Sequence, residues 1–174
     1  INFFIKAVIW QGQVSDVLKA GTKYGANQAG GGKRARVEFV SANPTGPLHF
    51  GNARGGPIWD ALASVLEFSG YAGLREYIHN DIGGQVKKLG ESIINLSRGQ
   101  KLEDQEYKGT YVVDLAKKIG KIGDSEEAGG KAVDILLEDI LKDCRDMGIK
   151  FDQVYPESEF ATSGQTKEDI DHLK

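Results

Sequence analysis

The chain has 174 residues, 40% of them hydrophobic, with 22 Lys and Arg against 25 Asp and Glu for a formal net charge of −3, and one cysteine, Cys144. That length supports one domain with a real core. The lone cysteine excludes an internal disulfide and fits a reducing cytosol, no apolar run nears the ~20 residues of a membrane span, and the net negative charge argues against a broad basic nucleic-acid surface.

The first residue is Ile1 rather than Met, which points to a piece of something longer. Ile1-Asn-Phe-Phe-Ile5 predicts a strand, and the rhythm of Trp10, Val14, Val17 and Leu18, stopped by Gly21, predicts a short helix. These two elements cannot bury their own apolar faces, so they either close a neighbouring unit or pack on the main domain. Residues 25–33 hold four glycines in nine positions and read as a linker and domain boundary. A phosphate-binding loop would end in Gly-Lys-Ser/Thr ahead of an apolar helix, and this stretch does neither.

Residues 34–84 predict a nucleotide-binding corner. Val37-Glu-Phe-Val-Ser41 reads as a short buried strand and Asn43-Pro-Thr-Gly-Pro47 as a tight loop. Ile58, Ala61, Leu62, Val65 and Leu66 then form one apolar helical face, closed by Gly70. A second strand over Leu74–His79 makes a parallel, right-handed strand–helix–strand unit, the first half of a Rossmann-like sheet. The positive end of the intervening helix attracts phosphate, worth roughly 0.3–2 kcal/mol for the dipole alone. Just before it stands His49-Phe50-Gly51-Asn52, in which His49 and Asn52 can both donate hydrogen bonds to one anion and Gly51 lets a ligand approach the backbone. By itself this tetrad fits an ordinary helix start equally well. Asn80-Asp-Ile-Gly-Gly84 leaves the second strand at its carboxyl end, with Asp81 either a helix N-cap or a polar wall of the site.

Residues 85–150 predict three helices. Val86, Leu89, Ile93 and Leu96 make the first apolar face; Tyr111, Val112, Leu115 and Ile119 make the second. An acidic, glycine-rich link, Asp124–Gly130, precedes the third, whose stripe runs Val133, Leu136, Leu137, Ile140, Leu141, Cys144 and Met147 up to Gly148. In residues 151–174, Phe151–Tyr155 reads as a returning strand closed by Pro156, and a helix starts at Gln165. The fold class is α/β: the first half of a Rossmann-like parallel sheet with a mostly helical insertion and a short N-terminal strand–helix.

The run Glu38-Phe-Val-Ser-Ala-Asn-Pro-Thr-Gly-Pro-Leu-His-Phe-Gly-Asn-Ala-Arg-Gly55 closely resembles the signature of the arginyl-tRNA synthetases, whose H-I-G-H-type tetrad follows Ser-x-Asn-Pro-Thr-Gly-Pro. The resemblance continues through Gly70-Tyr71, Arg75–Gly83, Tyr107–Tyr111 and Gly148–Asp152. It implies a class I aminoacyl-tRNA synthetase in which residues 1–24 end the N-terminal additional domain that contacts tRNA and residues 85–150 are the helical insertion. It implies His49 and Asn52 as the catalytic pair, with Asn52 in place of the commoner second histidine. Thr45, Gly46, Pro47, His49, Gly51 and Asn52 would bind ATP, and Glu38, Ser41, Asn43 and His49 would bind arginine. From the residues alone, Glu38 could equally be a strand carboxylate turned to solvent.

The expected partners are arginine, ATP with Mg²⁺ as its substrate complex, and tRNA(Arg), in a cytoplasmic and often monomeric family, with no tightly bound cofactor, no dedicated metal site and no membrane. The lysine-rich K-M-S-K-S-type loop and the anticodon-binding domain of that family have no counterpart in these residues. Two other readings stay open: a nucleotidyltransferase with an H-x-G-H corner, which would lack the upstream Glu-x-x-Ser-x-Asn-Pro run, and a non-catalytic, synthetase-derived RNA-binding module.

Overall fold

The computed structural model describes residues 1–173, apart from the side chain of Gln165. Its elements in chain order are α1 (Ala7–Ala20), β1 (Arg34–Glu38), α2 (Phe50–Ala53), α3 (Gly56–Phe68), β2 (Ala72–His79), α4 (Gly84–Ser97), α5 (Thr110–Ile119), α6 (Ser125–Asp146), β3 (Gln153–Pro156), α7 (Glu157–Thr162) and α8 (Gln165–Leu173). The three strands form a parallel sheet in the order β1-β2-β3, with Arg34 opposite Ala72, Glu38 opposite Glu76, and Glu76 in turn opposite Gln153. Both crossovers are helical, as parallel pairing requires.

Two apolar clusters hold the molecule. Val37, Phe39 and Tyr77 from the sheet side meet Ala63 of α3, Ile140 and Cys144 of α6, and Ile149. Leu89 and Ile93 of α4, Val112 and Leu115 of α5, and Ala132 and Leu136 of α6 make the second. The 22-residue α6, about 33 Å long, belongs to both and so ties the helical layer to the sheet. Its first half crosses α4 backbone to backbone. A Cβ on Gly129 would run into the Val86 carbonyl, and one on Gly90 into the Ser125 carbonyl, so only glycine permits this approach. Asp124 caps α6 by accepting the Glu127 N–H at 2.8 Å. The expected link over Asp124–Gly130 is therefore the cap and first turns of the helix, with its glycines there for contact.

Other sequence expectations are corrected. Ile1–Ile5 forms no strand: Phe3 and Phe4 are 85% and 98% exposed, and no neighbouring strand supplies the pairing that a strand needs. The helix expected after it is α1, which buries none of its residues. The first sheet strand ends at Glu38 rather than Ser41, because Val40 and Ser41 take φ of 65° and 38°, outside any strand. β3 starts two residues later than expected and takes in Pro156, while Phe151 turns inward to meet the rings of Phe39 and Tyr77 at 4.8 and 5.1 Å. Residues 25–33 are pinned rather than loose: Asn27, Gly30 and Gly32 donate to the carbonyls of Phe68, Ser69 and Gly70.

The helical face of α3 is the largest reversal. Ile58, Leu62 and Val65 are 68%, 40% and 61% exposed, and Gly56 and Ala63 face inward instead. Of the expected face only Leu66 packs against the core, while Arg75 on β2 engages another face of the helix. Its guanidinium binds Asp60 at 2.9 Å, Ser64 at 2.9 Å and Glu67 at 2.7 Å, three residues on one helical face. The Arg75 side chain is only 13% exposed, so losing these partners would leave a charge nearly buried and unpaired.

Candidate functional site

The segment after β1 builds the site by leaving the sheet while remaining tied to it. The Phe39 N–H still donates to the Glu76 carbonyl at 3.2 Å. Val40 and Ser41 then bend into the left-handed region, a strain of order 1–3 kcal/mol for each non-glycine residue. Side chains replace the lost ladder. Ser41 Oγ accepts the Ile78 N–H at 3.2 Å, Tyr77 donates its hydroxyl to the Ala42 carbonyl at 2.7 Å, and Asn43 Oδ1 accepts the Asn80 N–H at 3.2 Å. Asn43 also donates to Gln85 of α4 at 3.1 Å, and Tyr111 of α5 donates to the Thr45 carbonyl at 2.7 Å. Pro44 is fully buried beneath them.

The phenols that hold this segment stay protonated. Burial first, and the neighbouring Cys144 second, raise the pKa of Tyr77. Burial, then Tyr107, pushes Tyr111 up to about 12. Both remain donors at any working pH.

The tetrad 49–52 is not the start of the long helix, as the sequence suggests, but a separate turn. Pro57 lacks an N–H and its ring crowds the preceding carbonyl, so α2 stops at Ala53 and α3 begins at Gly56. The His49 carbonyl accepts the N–H groups of Asn52 and Ala53, both at 3.0 Å, while its imidazole makes no capping bond and stands exposed. The ring lies over Gly51: a Cβ there would come within 2.9 Å of Cε1 and 3.0 Å of Nδ1. Gly51 therefore gives His49 room before it gives a ligand any.

Ala42, Asn43, Thr45, Gly46, Pro47, His49, Asn52 and Gln85 line an open cleft of about 260 Å³. It lies past the carboxyl ends of β1 and β2, where open parallel sheets bind ligands. Its polar groups are amides, a hydroxyl and an imidazole, with no carboxylate among the lining residues, so it offers hydrogen-bond donors to an anion. Larger hollows lie elsewhere on the molecule, two of them beside the sheet and its exit loop. One of about 460 Å³ lies at the amino ends of β1 and β2 beside Arg34 and Leu74, and one of about 420 Å³ lies between Asp81, Lys87 and Glu126.

Of the residues expected from sequence, Asn43, Thr45, Gly46, Pro47, His49 and Asn52 come together in this cleft. Glu38 does not line it; its exposed side chain ends β1 opposite Glu76. The Ser41 hydroxyl is engaged by the backbone of β2. Asp81 is neither cap of α4 nor wall of this cleft. It accepts the N–H and hydroxyl of Ser158 at 2.9 and 2.5 Å, fixing the start of α7 from 77 residues away. Sequence reasoning missed Gln85, Tyr77 and Tyr111, whose roles depend on contacts too distant for local pattern to reveal.

No family model matches the chain. It is 39% identical over 190 aligned positions to an arginine–tRNA ligase of Ruegeria pomeroyi and 38% identical to one of Citrifermentans bemidjiense, in each case over its whole length. It spans about a third of the length of these curated relatives, 33% and 34%. A solved structure from Campylobacter jejuni described as an arginyl-tRNA synthetase superposes with a TM-score of 0.82 at 28% identity, covering 98% of this chain and 41% of that one. The arginyl-tRNA synthetase of Thermus thermophilus shares the fold at a TM-score of 0.61 and 19% identity, over 90% of this chain and 29% of its own. Similar over its full length to about a third of these arginine–tRNA ligases and superposing on a solved arginyl-tRNA synthetase, the chain fits a fragment of an arginyl-tRNA synthetase.

Proposed function

We propose that this chain is the part of an arginine–tRNA ligase that binds ATP and arginine and forms arginyl-adenylate, which the whole enzyme then transfers to tRNA(Arg). The supporting observation is the convergence of Asn43, Thr45, His49 and Asn52 on one cleft past the carboxyl ends of the parallel strands. In the reaction the arginine carboxylate attacks the α-phosphate of ATP, a P–O bond forms, and pyrophosphate leaves with the electron pair of the bond that breaks. Negative charge grows on the phosphate oxygens, so His49 Nε2–H and the Asn52 amide act as preorganised donors. Thr45, Gly46, Pro47 and Gly51 shape the ATP side. The cleft has no carboxylate to ligate a metal, so Mg²⁺ arrives on the ATP phosphates as part of the substrate.

Glu38, which ends β1 outside the cleft, serves arginine by its negative charge, and Ser41 and Asn43 serve it by hydrogen bonds toward the ammonium and carboxylate beyond those they make to Ile78, Asn80 and Gln85. Residues 1–24 close a tRNA-contacting domain, residues 25–33 connect it, residues 34–84 and 151–174 belong to the nucleotide-binding fold, and residues 85–150 are its helical insertion. The enzyme acts in the cytoplasm.

The test uses the enzyme with its remaining two thirds. His49→Ala lowers kcat about 10²–10³-fold with little change in the KM for ATP, because a transition-state donor is lost. Glu38→Gln raises the KM for arginine and spares that for ATP. A changed ATP KM at unchanged kcat for the His49 variant would reduce that residue to ground-state binding.

A further inference from the structure

His79 closes the central strand, is only 6% exposed, and has its Nδ1 buried without a hydrogen-bond partner. An orphaned buried polar atom is uncommon enough to need a reason. The next two residues carry the two latches that join β2 to its surroundings. The Asn80 N–H holds Asn43 at 3.2 Å, and Asp81 holds Ser158 by two bonds. The charges acting on His79 are the carboxylates of Asp81 and, from α6, Asp134. Tyr77 presents its ring at 6.4 Å, and Pro156, opposite on β3, carries no charge. Lys87 and Glu126 line the hollow beside Asp81.

We propose that His79 is a proton-sensing positioning residue for the cleft: neutral, it leaves Asp81 to Ser158 and Asn80 to Asn43, and protonated, it draws Asp81 off Ser158 and loosens both latches. The proton comes from solvent to Nδ1, and the resulting imidazolium N–H has the Asp81 carboxylate, two residues on, to seek. Asp134 sits on a helix fixed by two cores, whereas Asp81 sits in a loop, so Asp81 is the partner that moves. Burial lowers the His79 pKa below 6.5, with Asp81 and Asp134 opposing it in part. The sign follows. The unfolded chain takes up the proton first, so the contribution of neutral His79 to stability is present above about pH 6.5 and is lost as pH falls toward the lower folded value. The latch concerns this chain alone; its effect on substrate rests on the function proposed above.

Nuclear magnetic resonance of the chain between pH 8 and 5 reads both parts. The His79 imidazole is expected to titrate with a midpoint below 6.5, and the Ser158 and Asn80 amides to shift with the same midpoint. His79→Gln abolishes the amide transition, and His79→Leu, which keeps the site apolar, does the same should the glutamine variant fail to fold. Asp81→Asn keeps a His79 titration at a lower midpoint and uncouples Ser158 from it. A His79 midpoint at or above 6.5, a Ser158 amide that stays still while His79 titrates, or an amide transition that survives both substitutions overturns the proposal. In the longer enzyme the arginine KM rises about fivefold through the same midpoint, the equivalent of one hydrogen bond, and stays flat in His79→Gln. A KM that does not follow an intact amide transition overturns the link to arginine and leaves the latch standing.

Discussion

The turn from Phe39 to Pro47 and the crossing of α4 with α6 are held by opposite means. The turn spends strain at Val40 and Ser41 and is fastened by polar bonds from Tyr77, Ser41, Asn43 and Tyr111, all reaching residues more than thirty positions away. The helical crossing has glycine against carbonyl and Leu89, Ile93, Leu136 and Ile140 buried to within 3% of full exclusion. Directional bonds fix where Asn43 points, which a substrate site needs, but each nets only about 1 kcal/mol. Apolar packing fixes little about direction yet contributes roughly 1.5–3 kcal/mol for each buried aliphatic side chain. One region positions chemistry, and the other keeps the fold that carries it.

If that contrast is right, damage to the packed region is global and damage to the turn is local. The largest effect is expected for Ile140→Ala, on the helix shared by both cores, at about 2–5 kcal/mol in urea unfolding with the whole chain melting together. Two separate transitions would show that the cores are independent. Gly129→Val comes next, at about 1–3 kcal/mol from overpacking against α4, while amide exchange at Ser41 and Asn43 stays unchanged.

Tyr77→Phe removes one donor and leaves the Ala42 carbonyl buried and unpaired, a loss of about 1–3 kcal/mol that should appear first as faster amide exchange between residues 39 and 43. Global unfolding as severe as that of Ile140→Ala would erase the distinction between the two regions.

A smaller effect comes from acid. Burial works to raise the Asp81 carboxyl, but the two bonds from Ser158, its own N–H and His79 hold it below the usual carboxylate range. In a His79→Gln background, where Asp81 is left to Ser158 at every pH, its contribution is therefore present above about pH 3.8 and is lost as pH falls through the lower folded value. The Tm gap between that variant and its Asp81→Asn derivative should shrink on that descent and stay constant between pH 7 and 8. Smallest of all is Lys142→Ala, which breaks an exposed pair with Asp146 at 2.6 Å and should leave Tm unmoved. A measurable drop there would mean that surface charge holds α6 more than its two cores do.

Much was legible in residue order because the elements concerned are decided locally. The stripes Val86–Leu89–Ile93, Val112–Leu115 and Val133–Leu136–Ile140 repeat at the helical period and have one burial solution, and α4, α5 and α6 bury them. The Asn43–Pro47 loop and the tetrad after it are spelled by proline and glycine, whose backbone limits act within a few residues. What local pattern could not decide was orientation. The apolar side of α3 reads as its core side, yet most of it stays exposed, while Arg75, eight residues past Glu67, ties the acidic side to β2. Ile1–Ile5 has strand composition and no strand to pair with. The tie from Asp81 to Ser158, the pinning of Thr45 by Tyr111 and the orphaned His79 nitrogen each depend on side chains brought together across 66 or more positions or on burial by the whole sheet. Periodicity and turn chemistry are properties of neighbours in sequence, so the sequence by itself determined the helices α3 to α6, the parallel strands around them and the loop that bears the site. Charge burial and long-range hydrogen bonds are properties of neighbours in space, so only the tertiary structure decided which way each face turns and what holds the cleft open.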